Sequence, residues 1–283
     1  MEIIKAKSAG FCFGVKRAVD EVQKQIRDGR KPVYTYGPII HNEQVVNKLA
    51  AQGVRVIRSE EELDQIHEGT IIIRSHGVPE RIQKKMESLG VNLVDATCPF
   101  VKKIHEIARR TGENGDILII AGNPNHPEVQ GIMGWTKGEV YAVESPEELQ
   151  NLKIPEGRKA VLVAQTTFDK VKFEDIVEIF ARTRYSSYVV NTVCNATDER
   201  QTEAREIAQK VDAMVVIGGR HSSNTQKLYH ICSEKCANTY FIETLVDLDL
   251  KPFQSYSRVG ITAGASTPNS IIEEVTEHVR IKL

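Results

Sequence analysis

Three cysteines far apart in the chain occupy the same place in a repeated pattern, and this regularity constrains the fold more than any other feature. Cys12 follows EIIKAKSAGF and precedes VKRAVDEVQKQI; Cys98 follows VNLVDAT and precedes PFVKKIHEIARR; Cys194 follows SSYVVNTV and precedes NATDERQTEAREIAQK. Each closes a β-like run and opens a helical one. Polar motifs recur behind each cysteine. GPIIHN at His41, GNPNHPEV at His126 and GGRHSSNTQKL at Ser222 lie 29, 28 and 28 residues on, and RSHGVPE at His76, AQTTFDK at Thr166 and TAGASTPNS at Ser266 lie 64, 68 and 72 residues on. Three units of roughly 90 residues are too few and too large for a solenoid. A pseudo-threefold arrangement is expected, with equivalent loops facing a shared centre.

The runs IIKA, PVYTY, TIIIRS, VNLVD, DILIIAG, EVYAV, AVLVAQ, SYVVNT, AMVVIG, TYFIE and RVGITAG read as strands and alternate with segments of helical period. That alternation predicts an α/β fold with parallel-rich sheets. The expected divisions are 14–97, 98–193, and 1–13 together with 194–283, so that the first strand and Cys12 join the last unit. Val15, Ala18, Val19, Val22 and Ile26 form the apolar face of the first helix, which Gly29 stops; Val101, Ile104, Ile107 and Ala108 form that of the second, with Pro99 just inside its start. Ile207, Ala208 and Val211 serve the third. GENGD at 112–116 and KIPEGRK at 153–159 are the expected linkers.

Hydrophobic residues make up 41% of the chain and charged ones 27%, with a net charge of −1, which gives no electrostatic reason to bind nucleic acid or an anionic membrane. The amino terminus lacks a secretory pattern and no run reaches the roughly 18 apolar residues of a spanning helix, so a cytoplasmic protein is expected. In a reducing compartment its five cysteines point to metal or catalytic roles rather than disulfides.

A thiolate at a strand-to-helix turn is favoured by the positive end of the helix dipole. Three such thiolates can hold zinc, or three irons of an iron–sulfur cluster with one iron left open. The absence of any CxxC pair weakens the structural-zinc reading. For one cysteine alone, burial as a small apolar residue is the ordinary outcome. Cys232 and Cys236, outside the repeat, are read that way, a redox pair being the alternative. His41, His76 and His126, with Thr166, Ser222, Ser223, Asn224 and Ser266, supply the donors of an anion pocket, though a single Ser or Asn opening a helix is ordinarily only a cap. Glu128, two residues after His126, is either a first-turn helix acid or, beside a desolvated anionic centre, a proton donor. Lys and Arg runs such as RIQKKME read as solvated helix faces.

Together GFCFGVKRAV, GPIIHN, RSHGV, DATCPFV, NHPEV, AQTT, SSNT and TAGAS resemble the LytB or IspH family of 4-hydroxy-3-methylbut-2-enyl diphosphate reductases, in order and through essentially the whole chain. The resemblance implies a trefoil of three α/β domains around a central metal site, a 4Fe-4S cluster on Cys12, Cys98 and Cys194 with one iron lacking a protein ligand. It also implies a substrate pocket lined by His41, His76, His126, Thr166, Ser222, Ser223, Asn224 and Ser266, with Glu128 and Thr166 catalytic. Of Thr166 and Thr167, the first aligns with the family's threonine. The implied reaction is reductive dehydroxylation to isopentenyl and dimethylallyl diphosphate, the last step of the non-mevalonate isoprenoid route. Since no GxGxxG follows a strand, electrons are expected from a separate ferredoxin or flavodoxin. With the sequence ending at Leu283 soon after TAGAS, the resemblance implies the minimal enzyme, without the added carboxyl-terminal domains of some members. A redox-neutral iron–sulfur dehydratase and a non-catalytic metal sensor are the alternatives.

Overall fold

The computed structural model describes residues 1–155, 157–183 and 186–281. In chain order the strands are β1 (Glu2–Lys5), β2 (Val33–Tyr36), β3 (Val54–Ile57), β4 (Thr70–Ile73), β5 (Asn92–Asp95), β6 (Ile117–Ala121), β7 (Val140–Val143), β8 (Lys159–Ala164), β9 (Ser186–Val189), β10 (Ala213–Ile217), β11 (Thr239–Ile242) and β12 (Arg258–Ala263). The helices are α1 (Phe13–Arg27), α2 (Glu43–Ala51), α3 (Glu60–Leu63), α4 (Glu80–Ser88), α5 (Pro99–Glu113), α6 (Pro127–Met133), α7 (Pro146–Gln150), α8 (Lys170–Ala181), α9 (Asn195–Ala208), α10 (Ser223–Ser233) and α11 (Asn269–Ile281). The described strands form three four-stranded sheets, ordered β3-β2-β4-β5, β7-β6-β8-β9 and β11-β10-β12-β1. Every pairing in them is parallel.

The order is the same each time: second, first, third, fourth. In the last sheet the fourth strand comes from the opposite end of the chain, since β1 pairs with β12 from Glu2↔Arg258 to Lys5↔Ile261. The chain divides into two compact units. One comprises Met1–Lys16, His41–Asn47 and Asn195–Leu283 and contains the β1-β12-β10-β11 sheet; the other, Arg17–Ile40 with Lys48–Cys194, contains the remaining two.

Strands buried on both faces explain the apolar runs. In β6, Ile117, Ile119 and Ala121 pack with Leu162, Phe173, Ile176 and Phe180, while the alternate residues Leu118 and Ile120 pack with Ile104, Ala108, Val129 and Ile132. In β10, Ala213, Val215 and Ile217 meet Phe253, Ile261 and Val275, and Met214 and Val216 meet Ala204, Leu228 and Cys232. Each fully buried Ile, Leu or Phe contributes about 1.5–3 kcal/mol.

Several sequence expectations need amendment. VRVI forms β3, an edge strand whose exposed Arg55 interrupts the apolar pattern. Helix α9 ends at Ala208, so Val211 packs from the turn before β10 rather than from the helix stripe. GENGD and KIPEGRK are connections within one unit, α5 to β6 and α7 to β8; Glu156 of the latter lies outside the described residues. Gly29 does follow α1, at φ +69°, with its N–H bonded to the Ile26 carbonyl. Among the described residues no helix is long and apolar enough to cross a membrane.

Candidate active site

The shared strand order gives the sequence repeat a physical cause. With the first and third strands adjacent and their onward connections leaving in opposite directions, each sheet has a switch point, where ligands of open parallel sheets gather beyond the carboxyl ends. His41 follows β2 and His76 follows β4; His126 follows β6 and Thr166 follows β8; Ser222 follows β10 and Ser266 follows β12. The cysteines follow the fourth strand of each set: Cys98 after β5, Cys194 after β9, Cys12 after β1. All three cysteines are half-buried and none is in a disulfide.

One backbone bond recurs at every cysteine. The Cys98 N–H donates to the Ser75 carbonyl (2.9 Å), the Cys194 N–H to the Thr166 carbonyl (3.0 Å) and the Cys12 N–H to the Ala265 carbonyl (3.2 Å). Each thus ties the turn carrying the cysteine to the loop after the third strand. Cys12 and Cys98 also start their helices, their carbonyls accepting from the N–H groups of Lys16 and Lys102.

In the unit built on the β2–β5 and β6–β9 strands, the site residues form a continuous run of contacts. Cys98 is bonded to Ser75, the neighbour of His76; the His76 ring meets His126 edge-on, with ring centres 5.5 Å apart. His126 caps α6, its Nδ1 accepting the Glu128 N–H at 3.1 Å, a geometry that leaves the imidazole proton on Nε2. Glu128 is 2% exposed and Thr166 7%. The Thr166 N–H donates to Glu128 Oε1 (2.6 Å) and its hydroxyl to Oε2 (2.7 Å). Thr166 then accepts from Cys194, so the run extends from one cysteine to the other. Thr167 takes a different bond, accepting from Gln165 Nε2 at 3.0 Å.

In the other unit, Cys12 stands next to the Ser266 loop through Ala265, and the Ser266 hydroxyl donates to the His41 carbonyl (3.0 Å). Ser222 caps α10 by accepting the Thr225 N–H, followed by Ser223 and Asn224 in the first turn. Asn224 is 4% exposed, and neither its Oδ1 nor its Nδ2 has a hydrogen-bond partner among the described residues. Gly264 lets this turn come close, since a Cβ there would lie 2.0 Å from Thr225 Oγ1.

Sequence reasoning passed over three supporting side chains. Arg17 donates from both Nη atoms to the Thr97 (3.0 Å) and Asp95 (3.1 Å) carbonyls. Arg200 bonds the Gly10 and Ala196 carbonyls. His105 is wedged beneath Gly77, where a Cβ would lie 2.5 Å from its Cε1, and stacks on Trp135 with ring centres 5.0 Å apart. Burial pushes His105 down to about 4, opposed by nearby Asp95 and assisted by Lys102. In the sequence each reads as one more polar residue on a helix. Cys232 and Cys236 lie buried in the core beside Ala204 and Leu228, and burial, then the neighbouring Cys236, raises the Cys232 thiol to about 12.

A family model described as LytB protein matches residues 3–280. The chain is 47% identical over 285 residues to the 4-hydroxy-3-methylbut-2-enyl diphosphate reductase of Caldanaerobacter subterraneus subsp. tengcongensis, covering 99% of this chain and 97% of the relative. It is 43% identical to the reductase of the same name from Clostridioides difficile, covering 97% and 98%. Among solved structures it is similar to an (E)-4-hydroxy-3-methyl-but-2-enyl diphosphate reductase described as the terminal enzyme of the non-mevalonate pathway, at 41% identity and a TM-score of 0.69 over 99% of both chains. The Plasmodium falciparum E-1-hydroxy-2-methyl-but-2-enyl-4-diphosphate reductase superposes with a TM-score of 0.90 at 27% identity, over 98% of this chain and 87% of that one.

Proposed function

Given that the chain belongs to the LytB family, we propose that it dehydroxylates (E)-4-hydroxy-3-methylbut-2-enyl diphosphate reductively on a 4Fe-4S cluster held by Cys12, Cys98 and Cys194. The products are isopentenyl and dimethylallyl diphosphate, and the step is the last of the non-mevalonate route. Relatives named as reductases favour this over a redox-neutral dehydratase or a metal sensor.

The donor set suits such a cluster: three thiols, each half-buried at a strand-to-helix turn with its amide pinned, provide three of the four ligands a cubane takes. When bound, the cluster supplies electrons and a Lewis-acidic iron without a protein ligand. The chain's own residues bind, orient and protonate. His41, His76, His126, Ser222, Ser223, Asn224 and Ser266 hold the diphosphate; Asn224, whose buried amide has no partner among the described residues, is suited to accept a ligand without giving up a native bond. Glu128 donates a proton through the Thr166 hydroxyl to the departing substrate hydroxyl, which leaves as water. Two electrons enter, the C–O bond breaks, and a second proton on carbon completes either product. An external ferredoxin or flavodoxin provides the electrons, and the cytoplasm is the compartment in which the thiols stay reduced. The repeated strand order supports three related domains, 14–97, 98–193 and 1–13 with 194–283.

The observation that carries this reading is the buried connection Glu128–Thr166–Cys194, an acid joined through its relay to a proposed cluster ligand. Glu128→Gln is expected to keep iron and sulfide at wild-type levels while turnover falls about 10²–10⁴-fold. Unimpaired turnover, or loss of the cluster itself, would remove the acid from the chemistry.

A further inference from the structure

The segments leading into two of the cysteines are gripped by arginines on helices that begin just after a cysteine. Arg200, 4% exposed, lies six residues beyond Cys194 on α9; its Nη2 donates to the Gly10 carbonyl (2.6 Å), two residues before Cys12, and its Nη1 to the Ala196 carbonyl (2.8 Å). The same helix supplies an acid for the opposite polarity: Glu203 accepts from the N–H groups of Lys7 (2.8 Å) and Ser8 (2.9 Å) and from the Ser8 hydroxyl (2.5 Å). The stretch Lys7–Gly10 is therefore held by its donors and by its acceptor. Gly10 has φ +102°, and a Cβ there would lie 2.8 Å from Asn269 Oδ1, so this turn is built around a glycine.

Arg17, five residues beyond Cys12 on α1, acts likewise on the approach to Cys98, spanning the Asp95 and Thr97 carbonyls with its two Nη atoms. A guanidinium suits both places because its rigid fork reaches two acceptors at once, which an ammonium does not reproduce. Cys194 is approached differently. Its strand end is fixed by Thr192, whose hydroxyl donates to the Ala164 carbonyl (2.6 Å) and accepts the Ala164 N–H (2.7 Å). The matching position five residues beyond Cys98 is Lys103, which is exposed.

We propose that Arg17 and Arg200 are positioning residues for the cluster ligands, Arg200 fixing the approach to Cys12 and Arg17 the approach to Cys98. The proposal rests on the reading that these cysteines ligate the cluster. Each arginine holds the backbone that presents one sulfur, so its removal lets that sulfur go first.

The test challenges anaerobically purified holoprotein with an iron chelator while pulsing with a thiol-alkylating reagent, and maps the labelled cysteines by peptide mass. Arg200→Met is expected to release iron about tenfold faster, with Cys12 labelled ahead of Cys98 and Cys194. Arg17→Met should bring Cys98 forward instead. The lysine variants fall between wild type and methionine, and Lys103→Met matches wild type. General destabilisation would expose all three thiols alike, so equal acceleration, or a labelling order unchanged from wild type, overturns the proposal. If Arg200→Met does not fold, Arg200→Lys and Arg17→Met give the same discrimination. Full iron retention in Cys12→Ser would instead sink the ligand reading, and this proposal with it; loss of iron there with an unchanged order in Arg200→Met sinks the proposal alone.

Discussion

At the ends of β6 and β8, Glu128 is almost completely buried and both of its carboxylate oxygens accept from Thr166. At the ends of β10 and β12, Asn224 is buried to the same degree, yet both ends of its amide go without a partner among the described residues. The two places share a topology and differ in what they are completed by. An acid that must hold and pass one proton is best served by a fixed internal partner, which settles its orientation before substrate arrives. A residue whose partner is the substrate has to remain unsatisfied until then, at a cost of about 1–3 kcal/mol.

The contrast makes opposite predictions for two small substitutions. Thr166→Val keeps the backbone N–H to Glu128 but deletes the hydroxyl, so turnover should fall about a hundredfold and stability by about 1–3 kcal/mol, read by steady-state kinetics and urea unfolding. Asn224→Ala removes an amide that gains nothing in the substrate-free protein. Its KM should rise about tenfold, while substrate-free stability stays level or improves by about 1 kcal/mol. Loss of stability in both variants would erase the distinction.

A smaller effect sharpens the comparison, because in the acid-bearing unit His105 Nε2 is likewise buried with no hydrogen-bond partner among the described residues. Wedged under Gly77 and against Trp135, this ring serves packing. Its pKa of about 4 in the fold lies below the ordinary value of 6.5, so the unfolded chain binds more protons between those limits. Stability is then complete above the ordinary value and declines as pH falls toward the folded one, by about 1 kcal/mol between roughly pH 7.5 and 5.5. Asp95 and Lys102 are the charges that face it. His105→Phe should flatten this part of the stability profile; an unchanged slope would assign it to other groups.

The features legible in the sequence were those that repeat or that are apolar on both faces. ILIIA in β6 reads as a strand because every residue is buried, and the cysteine and polar motifs stood out because equal strand orders return them at nearly equal intervals. The place of Cys12 in that repeat also anticipated that β1 would join the last strands, as its pairing with β12 does. VRVI escaped notice because the exposed Arg55 breaks the apolar run of a four-residue strand. The arginines escaped for another reason. A charge on a helix looks the same whether it ends in water or on a carbonyl, and the carbonyls of Thr97 and Gly10 lie 80 and 190 residues away in sequence. RIQKKME, by contrast, is the surface it resembles, its Arg81, Lys84 and Lys85 paired with Glu60, Glu80 and Asp64.

Iron and acid-labile sulfide, measured anaerobically in the wild type beside Cys12→Ser, Cys98→Ser and Cys194→Ser, test the shared cluster most directly. About four of each per chain are expected in the wild type, as in a cubane, with most of both lost from every single variant. A variant that keeps the full complement, or a wild type that binds zinc alone, would contradict it.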